Sequence, residues 1–401
     1  MEGLYRIAVA VTLVLGCRPD PTIEVEVEPY EGTAYPNRVA PIAYPTGPAA
    51  LVTDSYSDSI SVIDLTTGDR IDHRVVGRNP VDLDGPHHIA VDEVGGFAYI
   101  GLSYPVSSAI GPHASHGSAS APGYIQKLSL VDMSILGQVR VDANPGDILL
   151  SADGKRVVTS HFDLLRATNN PTDLEKARAT VAVADAASIE MSGSPSPKLI
   201  KTCVAPHGMV MIDPSGSPLF VSCYGEDKIA MVDLDTETVD YVDVGPNVSG
   251  FGSPIYGPYV LTLLPDGHTL VVSNTASKDV RFFDADTKAM DLDRTVPLLG
   301  APYFPALSLD GAHLVVPTQQ PDALVVIDLE GQDETTTRNL TDEECVLPHV
   351  IATLTDGYAL VCEGDKKSPG KVVMLDADLE VVTSTEVGVY PDGIVPLGGS
   401  K

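Results

Sequence analysis

Positive charge is scarce in this chain of 401 residues: 25 lysines and arginines stand against 55 aspartates and glutamates, a formal charge of −30. A surface with that balance repels phosphate backbones and anionic lipid, which excludes nucleic acid as a partner. Its ordinary use is solubility, with cationic partners left open. Long apolar runs are missing too, and the one conspicuous run, Ile7 to Leu15, falls short of the roughly 20 residues that span a bilayer. No C-x-x-C-H haem-attachment motif, phosphate-cradling glycine loop or G-x-S-x-G nucleophile elbow occurs, so the chemistries tied to those motifs are set aside. Helical periodicity is confined to a turn's worth near Leu174 to Ala179, in a sequence rich in Pro and Gly, which argues against an α/β enzyme.

What is present begins with Arg6, the short apolar run, and then Val14-Leu15-Gly16-Cys17. A small residue directly before a cysteine suits a signal peptidase, and residues 1–17 resemble a bacterial lipoprotein signal peptide. The resemblance implies export, lipidation of Cys17, and anchoring in the cell envelope at the periplasmic face or outer membrane. The alternative is an N-terminal strand with a buried cysteine. Residues 18–45 are Pro- and Glu-rich, with Glu24, Glu26 and Glu28 alternating, and read as a tether with room for one strand.

From residue 46 to 401 the chain repeats itself. The marker is an apolar strand ending in aspartate: Val62-Ile63-Asp64, Leu130-Val131-Asp132, Val183-Ala184-Asp185, Met231-Val232-Asp233, Phe282-Phe283-Asp284, Val326-Ile327-Asp328 and Met374-Leu375-Asp376. Successive aspartates are 68, 53, 48, 51, 44 and 48 residues apart, close to one four-stranded propeller blade with two insertions. Asp-Gly turns at Asp153-Gly154, Asp266-Gly267, Asp310-Gly311 and Asp356-Gly357 separate alternating apolar runs, as in a meander. The first repeat has only three clear strands, while Tyr390 to Leu397 is an orphan. Pairing the two closes a ring with no free edge. The expected fold is therefore all-β, a seven-bladed β-propeller of four-stranded antiparallel blades, monomeric, closed by its C-terminal strand. From Ala49 to Leu397 the succession of apolar strand, Asp-Gly turn, Val-Ser-Asn end and Val-Ile-Asp strand resembles the YVTN repeat family, a likeness that specifies fold and not function.

Four further cysteines form two similar pairs. Cys203-Val204-Ala205-Pro206-His207 is echoed by Cys345-Val346-Leu347-Pro348-His349, each with a partner near the end of the next strand, Cys223 and Cys362. In an antiparallel meander the start of one strand and the end of the next share a rim, so each pair could bridge within a blade, in keeping with an oxidising compartment. Buried free thiols or thiolate ligation of a metal are the alternatives.

The proline opening each blade aligns the residues expected at the channel mouth. His87, His207, Tyr259, Tyr303, His349 and Asp392 each follow one directly, and Asp147 follows Pro145-Gly146. Inserted loops add His113, His116 and His161, so that with His88 seven of ten histidines are expected to converge: His87, His88, His113, His116, His161, His207 and His349. His73, His268 and His313 are expected elsewhere. Neutral imidazoles are good ligands for zinc and copper, with carboxylates such as Asp147 and Asp392 available to fix their tautomers. The segments Asp84-Gly85-Pro86-His87-His88 and Pro206-His207-Gly208 are similar to the copper-binding propeller domain of nitrous oxide reductases, which implies copper ligation by His87, His88, His207 and His349. No cupredoxin-like domain follows, so reduction of nitrous oxide is not expected. The leading reading is a binding module that presents a His-rich mouth to a copper or zinc ion, or to a redox or envelope protein partner, without turnover. The alternatives are a metal-dependent oxidoreductase on the same histidines and a lactonase-type hydrolase using Asp147, Asp392, Glu363 and His207 as acid and base.

Overall fold

A computed structural model describes residues 40–78, 83–105, 116–191, 193–248, 250–331 and 333–398. Cys17, the signal segment, most of the tether and His113 lie outside them. Seven antiparallel sheets form the ring of a seven-bladed propeller. The innermost strands of blades 2 to 5 are Pro86–Asp92, Pro145–Leu150, Pro206–Met211 and Pro258–Leu263, and that of blade 7 is Pro348–Leu354. Blade 1 takes its innermost strand, Pro391–Leu397, from the far end of the chain and pairs it antiparallel with Ala49–Asp54. This closing strand packs against the innermost strands of blades 2 and 7, so the ring has no open edge there.

The repeated aspartate has a local cause. Each marker side chain accepts backbone N–H groups of the turn that follows it: Asp64 from Thr66 (2.8 Å), Asp233 from Asp235 and Thr236 (2.9 Å each), Asp284 from Asp286 (3.0 Å) and Thr287 (2.8 Å), and Asp376 from Asp378 (3.0 Å) and Glu380 (2.8 Å). A carboxylate there satisfies amide donors that the tight turn to the outermost strand leaves unpaired. The strands before the turns are apolar on both faces because each blade is sandwiched between two others. Leu51, Ile60 and Val62 of blade 1 pack with Ile89, Ile100 and Leu128 of blade 2, and Phe220 and Ile229 of blade 4 with Leu270 and Phe283 of blade 5. Phe283 is fully buried, which contributes about 2 kcal/mol relative to exposure.

Two short helices, Leu164–Asn169 and Leu174–Ala177, occupy the insertion of blade 3, each capped by an aspartate side chain, Asp163 and Asp173. Both cysteine pairs are bonded within their blades, Cys203 to Cys223 with α-carbons 5.7 Å apart and Cys345 to Cys362 with 5.4 Å. The end of the stretch read as a tether is docked. Ile42 is buried with its N–H donating to Val131 O (2.7 Å), and the Tyr44 hydroxyl donates to Leu130 O (2.8 Å).

Candidate metal centre

One backbone device, repeated around the ring, builds the centre. In six blades the innermost strand opens with proline, and the residue before it is left-handed: Gly85 (φ 63°), Asn144 (56°), Ala205 (51°), Gly257 (63°), Leu347 (54°) and Tyr390 (54°). Proline ordinarily drives its predecessor to an extended conformation, and a non-glycine residue in the left-handed region costs about 1–2 kcal/mol, so packing must hold this geometry. A register shift then follows the proline, as between Pro86 and Ile89, Pro145 and Ile148, Pro206 and Met209, and Pro348 and Val350. Such a bulge re-aims side chains. Here it turns residues from five different blades toward the axis. Blade 6 departs from the pattern because Pro305 lacks an amide donor and splits the innermost strand into Ala301–Pro302 and Ala306–Leu307. Phe304, between the pieces, makes a parallel bridge to Val350 and donates its N–H to His349 O (3.0 Å).

Asp392, from the closing strand, stands at the middle. Its Oδ2 accepts from His87 Nδ1 and from Ser55 Oγ (3.2 Å), and lies 3.1 Å from His116 Nε2. Its Oδ1 is 3.6 Å from His349 Nε2, while His349 Nδ1 contacts Glu363 Oε1. His88 Nδ1 bonds Asp147 Oδ1 (3.1 Å), whose other oxygen accepts from Met209 N (2.9 Å). The ring centroids of His87, His88 and His207 are separated by 4.3, 5.9 and 5.7 Å, which puts all three around one point. Two donor groups emerge among the described residues, His87 with His116 and Asp392, and His88 with His349 and Asp392; within each the ligand atoms lie within 4.8 Å of one another. His207 joins neither and stacks on Tyr259 at 3.8 Å.

The expected open mouth is instead a buried hub. His87, His207, His349 and Asp392 are 0% exposed, His116 1% and His88 6%. Aromatic rings fill the space that a channel would need: Tyr303 stacks on His349 (5.2 Å), Tyr390 on His116 (5.4 Å), and Phe304 meets His88 edge-on (4.7 Å). Phe304 and Tyr390 carry no metal-ligating signature, and only the unusual Pro302-Tyr303-Phe304-Pro305 interruption could have drawn notice to the former. His161 does not join the hub. At the end of the second strand of its blade, it bonds Thr180 O through Nδ1 (2.7 Å) and sits beside Asp142, which Arg166 also contacts (2.7 Å). It faces Thr180, at the start of the third strand of its own blade, and Asp142, on the outermost strand of blade 2, rather than Asp392. As expected, His73 lies on an outermost strand.

Burial governs the protonation of the hub. It pushes His87 and His116 below the ordinary imidazole range, His116 well below, against the pull of Asp392. Burial also opposes ionisation of Asp392, yet His87 and His116 hold its carboxyl well below the usual range. Burial would depress His349 too, but the neighbouring Glu363 carboxylate raises it, while burial raises Glu363 against the pull of His349. The Nε2 atoms of His87 and His88 are buried without a hydrogen-bond partner among the described residues. Such atoms cost about 1–3 kcal/mol each unless something else satisfies them.

Fold and hub together define a seven-bladed propeller with a histidine–carboxylate centre. Among solved structures, the chain is similar to the periplasmic gluconolactonase of Pseudomonas aeruginosa (16% identity, 88% of this chain and 99% of that one covered, TM-score 0.60) and to hydrazine synthase of Kuenenia stuttgartiensis (17%, 79% and 91%, 0.55). It is also similar to the apo form of AztD from Citrobacter koseri (15%, 88% and 99%, 0.50). At these identities the likeness shows the fold alone. No protein-family model matches the sequence, and no curated protein matches it.

Proposed function

We propose that this chain is an exported propeller that binds a transition-metal ion of the zinc or copper class at its hub, without turnover of its own. The observation that carries the reading is the convergence of imidazoles on Asp392 with buried, unpartnered Nε2 atoms on His87 and His88. The donor set suits those metals: nitrogen ligands, a carboxylate oxygen, and second carboxylates to orient the rings. A cation would also offset the excess negative charge of three buried carboxylates, Asp147, Glu363 and Asp392, beside imidazoles held neutral. Calorimetric titration of metal-depleted full-length protein with zinc and with copper should give saturable stoichiometric binding that the double variant His116→Ala/His349→Ala, which removes an imidazole from each donor group, weakens at least tenfold. A protein that retains neither ion after desalting would overturn the reading.

Export, a lipid anchor at Cys17, a monomeric ring of YVTN type and an envelope or redox protein partner belong to the same proposal. The Val14-Leu15-Gly16-Cys17 motif supports the anchor, and the two disulfides support an oxidising compartment. Detergent extraction from membranes, lost in Cys17→Ser, is the expected result; a soluble, unmodified wild type would refute it. A lactonase-type hydrolase is the second reading, favoured by the buried contact between Glu363 and His349, a carboxyl and an imidazole placed to exchange a proton. Lactone hydrolysis by metal-free protein, abolished in Glu363→Gln, would put it first. Turnover of a redox substrate only when copper is loaded would instead favour a metal-dependent oxidoreductase.

A further inference from the structure

We infer that the hub takes two metal ions, bridged by the carboxylate of Asp392. The inference rests on the reading of the hub as a metal site and adds its nuclearity. Asp392 belongs to both donor groups and offers each a different oxygen, Oδ2 toward His116 Nε2 (3.1 Å) and His87, Oδ1 toward His349 Nε2 (3.6 Å). Each group then has two imidazoles and one carboxylate oxygen. Three protein donors with a fourth position for water is the usual composition of an open four-coordinate site. The two pairs of histidines also differ in disposition. The rings of His87 and His116 are stacked at 4.4 Å and 14°, whereas those of His88 and His349 are 6.3 Å apart and nearly perpendicular at 79°.

The partners of the outer nitrogens point the same way. His88 and His349 each have Nδ1 held by a carboxylate, Asp147 and Glu363, which directs Nε2 inward; this is how metal-ligating histidines are ordinarily oriented. His116 has Ser103 Oγ 3.5 Å from Nδ1 and presents Nε2 to Asp392. Charge does not separate one ion from two: against Asp147, Glu363 and Asp392 one divalent ion leaves one net negative charge and two leave one net positive charge, so the case for two ions rests on geometry. Carboxylate bridging keeps such ions about 3.5–4 Å apart, a spacing that a single aspartate satisfies.

Copper(II) is the probe, because two bridged ions couple magnetically. Metal-depleted full-length protein should bind two equivalents by elemental analysis. The first equivalent should give an isolated-ion electron paramagnetic resonance signal, and the second should reduce the integrated spin per copper and add a half-field transition. His116→Ala and His349→Ala should each hold one uncoupled copper, and Asp392→Asn, whose amide keeps the shape, should lose the coupling. Saturation at one equivalent overturns the two-ion site while leaving the single-ion reading intact. Two magnetically independent coppers overturn the bridge, and absence of binding overturns both readings. Should Asp392→Asn fail to fold, the two histidine variants decide alone, since a single-ion hub predicts that one of them keeps the wild-type stoichiometry.

Discussion

The disulfides offer the most direct quantitative test of the architecture. The bond from Cys203 to Cys223 spans a sequence separation of 20 and that from Cys345 to Cys362 one of 17. In the chain-entropy account each removes about 3 kcal/mol of conformational freedom from the unfolded chain at 25 °C. All four sulfurs are buried among apolar neighbours such as Leu219, Val221, Leu360 and Val373, so alanine is the right replacement, because serine would leave a buried hydroxyl. With an unfolding entropy of about 2 cal/mol/K per residue, a propeller of this size has roughly 0.7 kcal/mol/K in all, and the loss of one bond lowers Tm by about 4 °C. The bonds lie in separate blades, so the quadruple variant should lose about 8 °C. Differential scanning calorimetry at one scan rate on the wild type, C203A/C223A, C345A/C362A and the combination measures this directly. A paired variant that melts within about 1 °C of the wild type, or a peptide map with four free thiols, refutes the reasoning. The two bonds should also differ in their effect on the hub. Cys362 directly precedes Glu363, and Cys345 lies on the segment leading into His349, so C345A/C362A should weaken hub metal binding more than C203A/C223A.

Three further outcomes follow from particular residues. Burial lowers the pKa of His161 to about 4, below an unfolded value of about 6.5, so its contribution is intact above pH 6.5 and is lost as pH falls toward 4. Between pH 7 and 5 the wild type should lose about 2 kcal/mol more than His161→Gln, as read from urea midpoints; equal losses would show that His161 is not the titrating group. A chain ending at Tyr390 lacks the closing strand and leaves Ala49–Asp54 as an unpaired edge, so it should aggregate or oligomerise in size-exclusion chromatography, and a folded monomer would refute closure. Lys288 is exposed and left-handed (φ 54°) at the position that Gly68 occupies in the corresponding turn of blade 1, so Lys288→Gly should raise stability by about 0.5–1 kcal/mol, and a lowered urea midpoint would refute the strain.

Much of the fold was legible because its determinants are local or periodic. Each marker aspartate caps its own turn, the orphan strand at Pro391–Leu397 has one place to pair, and the cysteines repeat in matching contexts. Alignment on the opening prolines also put His87, His207, Tyr259, His349 and Asp392 at one place on the axis. What was not legible is the partner of each side chain beyond those prolines. His88 and Asp147 were expected at the mouth and are in the hub, but that they bond each other depends on the bulge that follows the proline, which leaves no residue-type signature in an inner strand. His161 was misplaced for a related reason: a histidine at the end of a second strand can face the axis or its flanking strands, and Thr180 at the start of the third strand and Asp142 on the outermost strand of blade 2 decide it. The burial of the hub depends on aromatic residues from several blades, among them Phe304, whose position follows from a broken strand rather than the repeat.

The closing strand has a consequence for timing. Asp392, which touches His87, His116 and His349, comes from the strand made after all the others in the ring. As the chain emerges from the ribosome, the histidines of blades 2, 4 and 7 are present well before the carboxylate that joins them. A chain threaded unfolded across a membrane would carry no assembled hub at any stage of transit. If the chain is exported in that way, an ion bound at the hub is taken up in the compartment where the ring finally closes, and one abundant only where the protein is synthesised is not captured on the way.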